Sequence, residues 1–399
     1  MLTYLTTGES HGPQLTAVID GLPAGLALDL PGLNFQLARR QRGFGRGGRM
    51  EIEQDEVRIV SGVRGGLTMG GPVTLIVENK DWSNWSSIMD PLEPPPENPG
   101  PREQALLEGT SRPRPGHADL AGGIKWHHHD LRNVLERASA RETAARVALG
   151  SLTRQFLEHF GVRFASHVIQ IGSVCLQKEP DKSDLTALAD MAEKSEVRCV
   201  DPETSAQMIE AVKEARKQRD SLGGRVEVIV RGLPAGLGSC AQWYHRLDGR
   251  LAGAMMSIQS VKSVHIGPDP EISGRPGSRV HDEIFYDPDG DPRKKRFYRK
   301  TNNAGGIEGG MTNGEDVVIQ VANKPISTLN RPLRTVDVRT KEPGEAMVER
   351  ADHCIVPSLA VICEAAASLV LTEAFLEKFG HDNIVEIERN FLGFLNAEY

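Results

Sequence analysis

The sequence predicts a fold of mixed strands and helices, built twice from one strand–turn–helix–strand–helix unit. Three internal matches in one order carry that expectation. Gly21-Leu-Pro-Ala-Gly-Leu26 recurs as Gly232-Leu-Pro-Ala-Gly-Leu237, each copy after a β-like run at 15–19 or 226–230. Gly65-Gly-Leu-Thr-Met-Gly70, with Val73 and Val77-Glu-Asn-Lys80, returns as Gly309-Gly-Met-Thr-Asn-Gly314, with Val317 and Val321-Ala-Asn-Lys324. Phe156-Leu-Glu-His-Phe-Gly161 returns as Phe375-Leu-Glu-Lys-Phe-Gly380. A favoured turn, with proline fixing φ and glycine permitting a positive one, accounts for the first match but not the other two. The halves are expected at about 1–170 and 223–399 of a single domain spanning 1–399, packed about a pseudo-twofold axis. A ligand site is expected near their junction.

Strands are read at 15–19, 57–61, 72–78, 226–230 and 316–322, where valine and isoleucine alternate or run on. Long helices are read from Leu131 to His159 and from Ser358 to Phe379; the first is rich in Ala, Leu, Arg and Glu at helical spacing. Residues 183–219 read as a charged surface pair of helices, inside an insertion at about 175–222 that carries no chemistry. Eight prolines crowd residues 91–115, excluding helix and central strand and predicting a lid or binding loop. Residues 267–304, rich in Gly, Asp and Arg, read as irregular.

Composition bounds the function. A chain of 399 residues, 39% hydrophobic and 25% charged, suits an ordinary soluble globule with a sizeable core. Its net charge of −7 argues against coating nucleic acid or anionic membrane. No run is read as approaching the roughly 18 apolar residues of a membrane span. The start, Met-Leu-Thr-Tyr-Leu-Thr-Thr, has neither a charged leader nor a long apolar stretch, so a cytoplasmic protein is expected. Five cysteines without a CxxC pair fit reduced thiols better than a disulfide frame or zinc site.

Against that acidic background, Arg39, Arg40, Arg42, Arg46 and Arg49 alternate with glycines within residues 39–50. Guanidinium groups grip carboxylate and phosphate oxygens at two points, and glycine lets backbone approach a ligand. The segment reads as a cradle for a small, multiply charged anion, or more blandly as an exposed basic loop. An RNA-binding, RGG-like segment is the competing class, although such segments repeat and lie in disordered tails. His11, in Gly8-Glu-Ser-His-Gly12, has little around it to pack against and is a candidate functional imidazole. His117, in Arg112-Pro-Arg-Pro-Gly-His-Ala-Asp119, lies beside two arginines and suits proton transfer next to an anion, or simply faces solvent. His127-His-His129 lacks partners at ligand spacing, so no metal is expected. Arg137 and Arg141 share a helical face around Ser139, either neutralised by Glu136 and Glu142 or facing an anion. Lys324-Pro-Ile-Ser-Thr328 offers an ammonium and two hydroxyls for a phosphate, and Gly305–Gly310 a flexible turn. Arg350-Ala-Asp352 is either a salt bridge or a positioned base.

Taken together these segments resemble the chorismate synthase family from Leu2 to about Leu371. The resemblance rests on Gly8-Glu-Ser-His-Gly-Pro13, Glu136-Arg-Ala-Ser-Ala-Arg-Glu-Thr143 and Arg350-Ala-Asp-His-Cys354. The Arg39–Arg49 loop, Arg114-Pro-Gly-His-Ala-Asp119, Met256-Ser-Ile-Gln259 and Lys324–Thr328 agree with it. It implies an α+β fold, a β-α-β sandwich of two related halves with helices between antiparallel sheets, and a homotetramer. It implies 1,4-anti elimination of phosphate from 5-enolpyruvylshikimate 3-phosphate to give chorismate, with reduced FMN required but not consumed. By the resemblance, His11 protonates the departing phosphate, His117 stabilises the reduced flavin, and Asp352 acts in removing the proton, with Ser10 and Ser139 in the relay. It sets FMN on Arg137, Ala138, Ser139, Gln259, Ser260, Gly309, Lys324, Pro325, Ile326, Ser327, Thr328 and Arg350. Arg40 and Arg46 match positions for NADPH or a substrate phosphate, and Arg39, Arg49 and Arg114 are expected at the substrate. Two departures stand out: His353 follows Asp352 where many relatives have proline, and Gln259-Ser260 stands where others have Asn-Ala.

Overall fold

Alternation builds the first sheet. In the computed structural model, which describes residues 2–46, 54–349 and 352–399, β1 (Thr3–Thr7), β2 (Gln14–Asp20), β3 (Val57–Ser61) and β4 (Val73–Glu78) form an antiparallel sheet ordered β1-β2-β4-β3. Leu15, Ala17 and Ile19 of β2 and Val73, Leu75 and Val77 of β4 all turn to the core, in a register pairing Leu15 with Val77 and Ile19 with Val73. The second sheet is also antiparallel. It comprises β5 (Arg163–Ile171), β6 (Val174–Cys175), β7 (Gly224–Arg231), β8 (Val261–Ile266) and β9 (Val317–Asn323), ordered β8-β9-β7-β5-β6. Here β7 and β9 are buried almost continuously because both faces are covered.

The helices of seven residues or more are α1 (Leu30–Gln41), α2 (Pro101–Leu107), α3 (Asp119–Trp126), α4 (Arg132–Ala138), α5 (Thr143–His159), α6 (Leu185–Lys194), α7 (Pro202–Lys217), α8 (Leu247–Met256), α9 (Val356–Phe379) and α10 (Ile384–Asn396). Helix α5 packs on β2 and β4, α9 packs on β5 and β7, and the two helices pack on each other. At their crossing a Cβ on Gly150 would overlap Ala365, so the bare backbone of α5 seats directly on that small residue of α9. Ser368 Oγ donates to Gly150 O at 2.7 Å, and Thr153 Oγ1 lies 2.7 Å from Ser368 Oγ. Helix α9 is long and apolar enough to cross a membrane, contrary to the expectation that no run reaches that length. Nearly all of it is buried inside the protein, where it serves as the core helix.

The repeated turns fold alike. Thr68 Oγ1 donates to Pro23 O and accepts from Leu26 N (2.9 Å); Thr312 Oγ1 donates to Pro234 O (2.7 Å) and accepts from Leu237 N (2.9 Å). The third pair of matches ends α5 and α9, where the Phe156 and Phe375 rings meet edge to face at 5.6 Å.

Four readings need correction. The helix expected over 131–159 breaks at Ser139, whose ψ of 143° is extended; α4 ends there, and its hydroxyl caps the next turn from Arg141 N at 3.3 Å. The proline-rich loop contains α2, because Pro101 occupies a first-turn position where its missing N–H leaves no bond unmade. Strands β1, β5 and β8 stand outside the strands the sequence predicts, since none shows a clean apolar alternation. Residues 267–304 include a short hairpin, Ile284–Tyr286 against Phe297–Arg299.

Candidate active site

One cavity of about 570 Å³ opens between the ends of α1, α2, α4 and α9 and the loops at 108–118 and 324–328. Its walls carry Arg40, Arg46, Arg114, Arg132, Arg141 and Lys324, which gives a strongly cationic space in an acidic protein. The charge is held from behind. Arg141 donates to Asp55 at 2.6 Å, and Asp55 also lies 3.6 Å from Arg40. Arg40 Nε donates to Thr143 Oγ1 at 3.0 Å. Such backing fixes the forks before any ligand arrives.

His11 follows β1 and is gripped by α4. Glu136 accepts from the His11 backbone N–H at 2.8 Å and meets Nδ1 at 2.9 Å. Arg132, one turn earlier on α4, donates to the same carboxylate at 2.8 Å. Burial would raise the Glu136 carboxyl, but the hydrogen bond and charge of His11, with Arg132, hold it below its ordinary range. Ser10 and Ser139 place their hydroxyls 3.2 Å apart beside this imidazole.

His117 sits at the end of the proline-rich loop, with Nδ1 2.5 Å from Asp119 Oδ1. Asp119 opens α3 and is fully buried. Its other partners are the Arg114 backbone N–H (3.0 Å), Nε (2.9 Å) and a terminal nitrogen (3.1 Å). Burial pushes the Asp119 carboxyl up, yet His117 and Arg114 together hold it well below the usual carboxylate range. Arg114 also donates to Thr328 Oγ1 at 2.8 Å, tying this loop to the 324–328 wall. Lys324 Nζ donates to Gly116 O, and burial with the neighbouring Lys262 charge lowers its ammonium below the ordinary value.

Asp352 also lines the cavity, 3.1 Å from a terminal nitrogen of Arg46, which donates to Ser358 Oγ at 3.1 Å. Of the residues singled out from the sequence, Ser10, His11, Arg40, Arg46, Arg114, His117, Ala138, Ser139, Gln259, Ser260, Lys324–Thr328 and Asp352 line this one space. Arg49 and Arg350 lie outside the described residues. Three others stand elsewhere. Arg39 points away from the cavity into a buried cluster, with Glu364 at 2.7 and 3.0 Å and Glu193 at 2.5 Å. Arg137 reaches back to Thr6 O (2.7 Å) and Gly8 O (3.2 Å), bracing the chain before His11. Gly309, at φ 59°, forms a hairpin turn outside the cavity wall. Sequence reasoning gave no role to Trp85, Glu349 or Asp55. The Asp119 signal was present, two residues from His117, but a carboxylate at that spacing in a loop is not distinctive.

Arg39 and Arg40 therefore lie in a helix and are ion-paired, unlike an RGG-like tail, while residues 47–50 of that stretch lie outside the described residues. Fold and cavity together describe an enzyme site for a small molecule, with cationic walls and two imidazoles each set against a buried carboxylate. The family model for chorismate synthase matches residues 2–376. The chain is 52% identical to "Chorismate synthase" of Geobacter metallireducens, over 99% of both chains. It is also 52% identical to the protein of that name from Symbiobacterium thermophilum, over 99% of this chain and 98% of the other. A crystal structure of chorismate synthase superposes with a TM-score of 0.77 at 38% identity, covering 99% of this chain and 97% of that one. The chain belongs to the chorismate synthase family, whose enzymes serve aromatic biosynthesis.

Proposed function

We propose that the protein converts 5-enolpyruvylshikimate 3-phosphate to chorismate by 1,4-anti elimination of phosphate, with reduced FMN required and regenerated. The observation that carries this reading is the convergence of His11, His117, Asp352, Arg40, Arg46 and Arg114 on one cavity of about 570 Å³. That volume suits a ring acid with two carboxylates and a phosphate lying against a flat cofactor. The residues present fit FMN. Ala138, Ser139, Gln259, Ser260 and the Lys324–Thr328 segment line the same cavity. In it, Gln259 Oε1 is a buried acceptor without a hydrogen-bond partner among the described residues, suited to an N–H on a bound ring. When bound, reduced flavin lends electron density that weakens the C–O bond to phosphate.

Each protein group then has a task. Glu136 fixes the His11 ring through Nδ1, so the proton for the departing phosphate passes from Nε2. Ser10 and Ser139 hydroxyls, 3.2 Å apart, relay protons beside it. Asp119 orients His117 to stabilise negative charge at the flavin. Asp352, steered by Arg46, serves removal of the carbon-bound proton. Arg40, Arg46, Arg114 and Lys324 seat the anionic groups, and Arg40 and Arg46 would also meet NADPH if it is the reductant. The same reading extends to a cytosolic homotetramer and to a β-α-β sandwich of two halves related by a pseudo-twofold axis, which the matching turn hydrogen bonds support.

The test is anaerobic. Phosphate and chorismate are followed with photoreduced FMN, then with NADPH plus oxidised FMN. Equal amounts of both products with no net flavin oxidation are expected; absence of phosphate release with reduced flavin overturns the reading. Arg46→Ala should weaken binding of substrate or cofactor by about 10- to 100-fold, the worth of a charged hydrogen bond. An unchanged Kd by titration takes Arg46 out of the cradle.

A further inference from the structure

The His11 imidazole is held on its edge by Glu136, but an edge bond alone leaves the ring free to tilt about it. The face is supplied from a distant part of the chain. The Trp85 indole stacks on His11 with centroids 3.8 Å apart and planes 28° from parallel. Trp85 is itself only 6% exposed and lines the same cavity. Its Nε1 donates to Asp81 at 3.1 Å, and the Arg132 guanidinium lies 5.1 Å from the ring centroid. The turn bearing Trp85 is tied to the His11 segment as well: Asn79 Nδ2 donates to Gly12 O at 2.7 Å, and its backbone N–H donates to Pro13 O at 3.0 Å. Edge and face thus arrive from two separate elements, which meet at this imidazole and again where Arg132 lies over the indole.

We propose that Trp85, anchored by Asp81, is a positioning residue that fixes the plane of His11 and thereby aims its Nε2 at the departing group. The proposal rests on His11 acting in proton transfer, as above. A flat, apolar partner also keeps water off one face of the ring, so that proton exchange is confined to the cavity side. A small change of aim at a reacting atom lowers the rate without altering how tightly the rest of the substrate binds.

Two measurements test it. In steady-state kinetics, Trp85→Leu should lower kcat by about 10- to 100-fold with KM little changed, and Trp85→Phe, which keeps a stacking ring, should restore most of it. In the His11→Ala background, Trp85→Leu should have no further effect, since a positioning residue has nothing left to position. In the ligand-free protein, the His11 Hε1 resonance, shifted upfield by the indole ring current, should move downfield in Trp85→Leu and only partly in Trp85→Phe. Should Trp85→Leu fail to fold, Asp81→Leu, which keeps the indole but removes its anchor, should reproduce the kcat loss in weaker form. Full multiplication of the Trp85→Leu and His11→Ala losses, or a wild-type kcat in Trp85→Leu, overturns the positioning role alone. A wild-type rate in His11→Ala overturns the proton-transfer assignment and this inference with it.

Discussion

His117→Ala is expected to keep its fold and to lose about two to four orders of magnitude in turnover, the range for a proton-transfer or charge-stabilising imidazole. The fold should survive because Asp119 does not depend on His117 alone. Arg114 gives that carboxylate three hydrogen bonds, from its backbone and its side chain. Loss of the imidazole therefore leaves no buried charge uncompensated. The ring lines the cavity, which leaves room for water in its place. Turnover at saturating reduced FMN, with a thermal melt as control, checks both parts. A near-wild-type rate would remove His117 from the mechanism, whereas a collapsed melt would mean that Asp119 needs the histidine after all.

Glu364→Ala should produce the largest loss of stability, about 3–5 kcal/mol, because it strips one carboxylate from several buried cations. Glu364 lies in the middle of α9 and is 2% exposed. It accepts from Arg39 at 2.7 and 3.0 Å, from Arg154 at 2.5 Å and from Ser166 at 2.5 Å. Burial would raise this carboxyl, but Arg39 and Arg154 hold it far below the usual range. A depressed folded value means that the contribution is complete above the ordinary carboxylate pKa and is lost as pH falls below it. The variant should accordingly lose most at neutral pH and show a flatter decline in stability between neutral and acid solution. Urea unfolding at several pH values checks this; equal losses at all pH values, or a loss under about 1 kcal/mol, would contradict the account.

These examples show what the sequence could reveal. Strands with valine or isoleucine on one face, such as β2 and β4, were legible because burial imposes period two. Strand β5 was not, since its interior includes Ser166 and His167, polar residues admitted to the core by Glu364 and Glu227. Strand β1 lies at a sheet edge and β8 likewise, so neither shows a clean apolar face. The two histidines were legible from their glycine-rich settings, but not the groups that hold them. Glu136 and Trp85 come from segments 125 and 74 residues away from His11 in the chain, a separation that leaves no local spacing to read. Charge clustering found the cradle but could not sort its members. Arg39 and Arg40 are neighbours on α1, about 100° apart around its axis, so one faces the α9 core and the other the cavity.

The glycine crossing of α5 and α9 has a mechanical consequence. With Gly150 seated on Ala365 and hydroxyls latched across the seam, the two layers behave as a keyed joint that resists shear. Any breathing that admits a molecule must then come from the peripheral segments, above all the proline-studded stretch, while the central scaffold holds its groups in a constant frame.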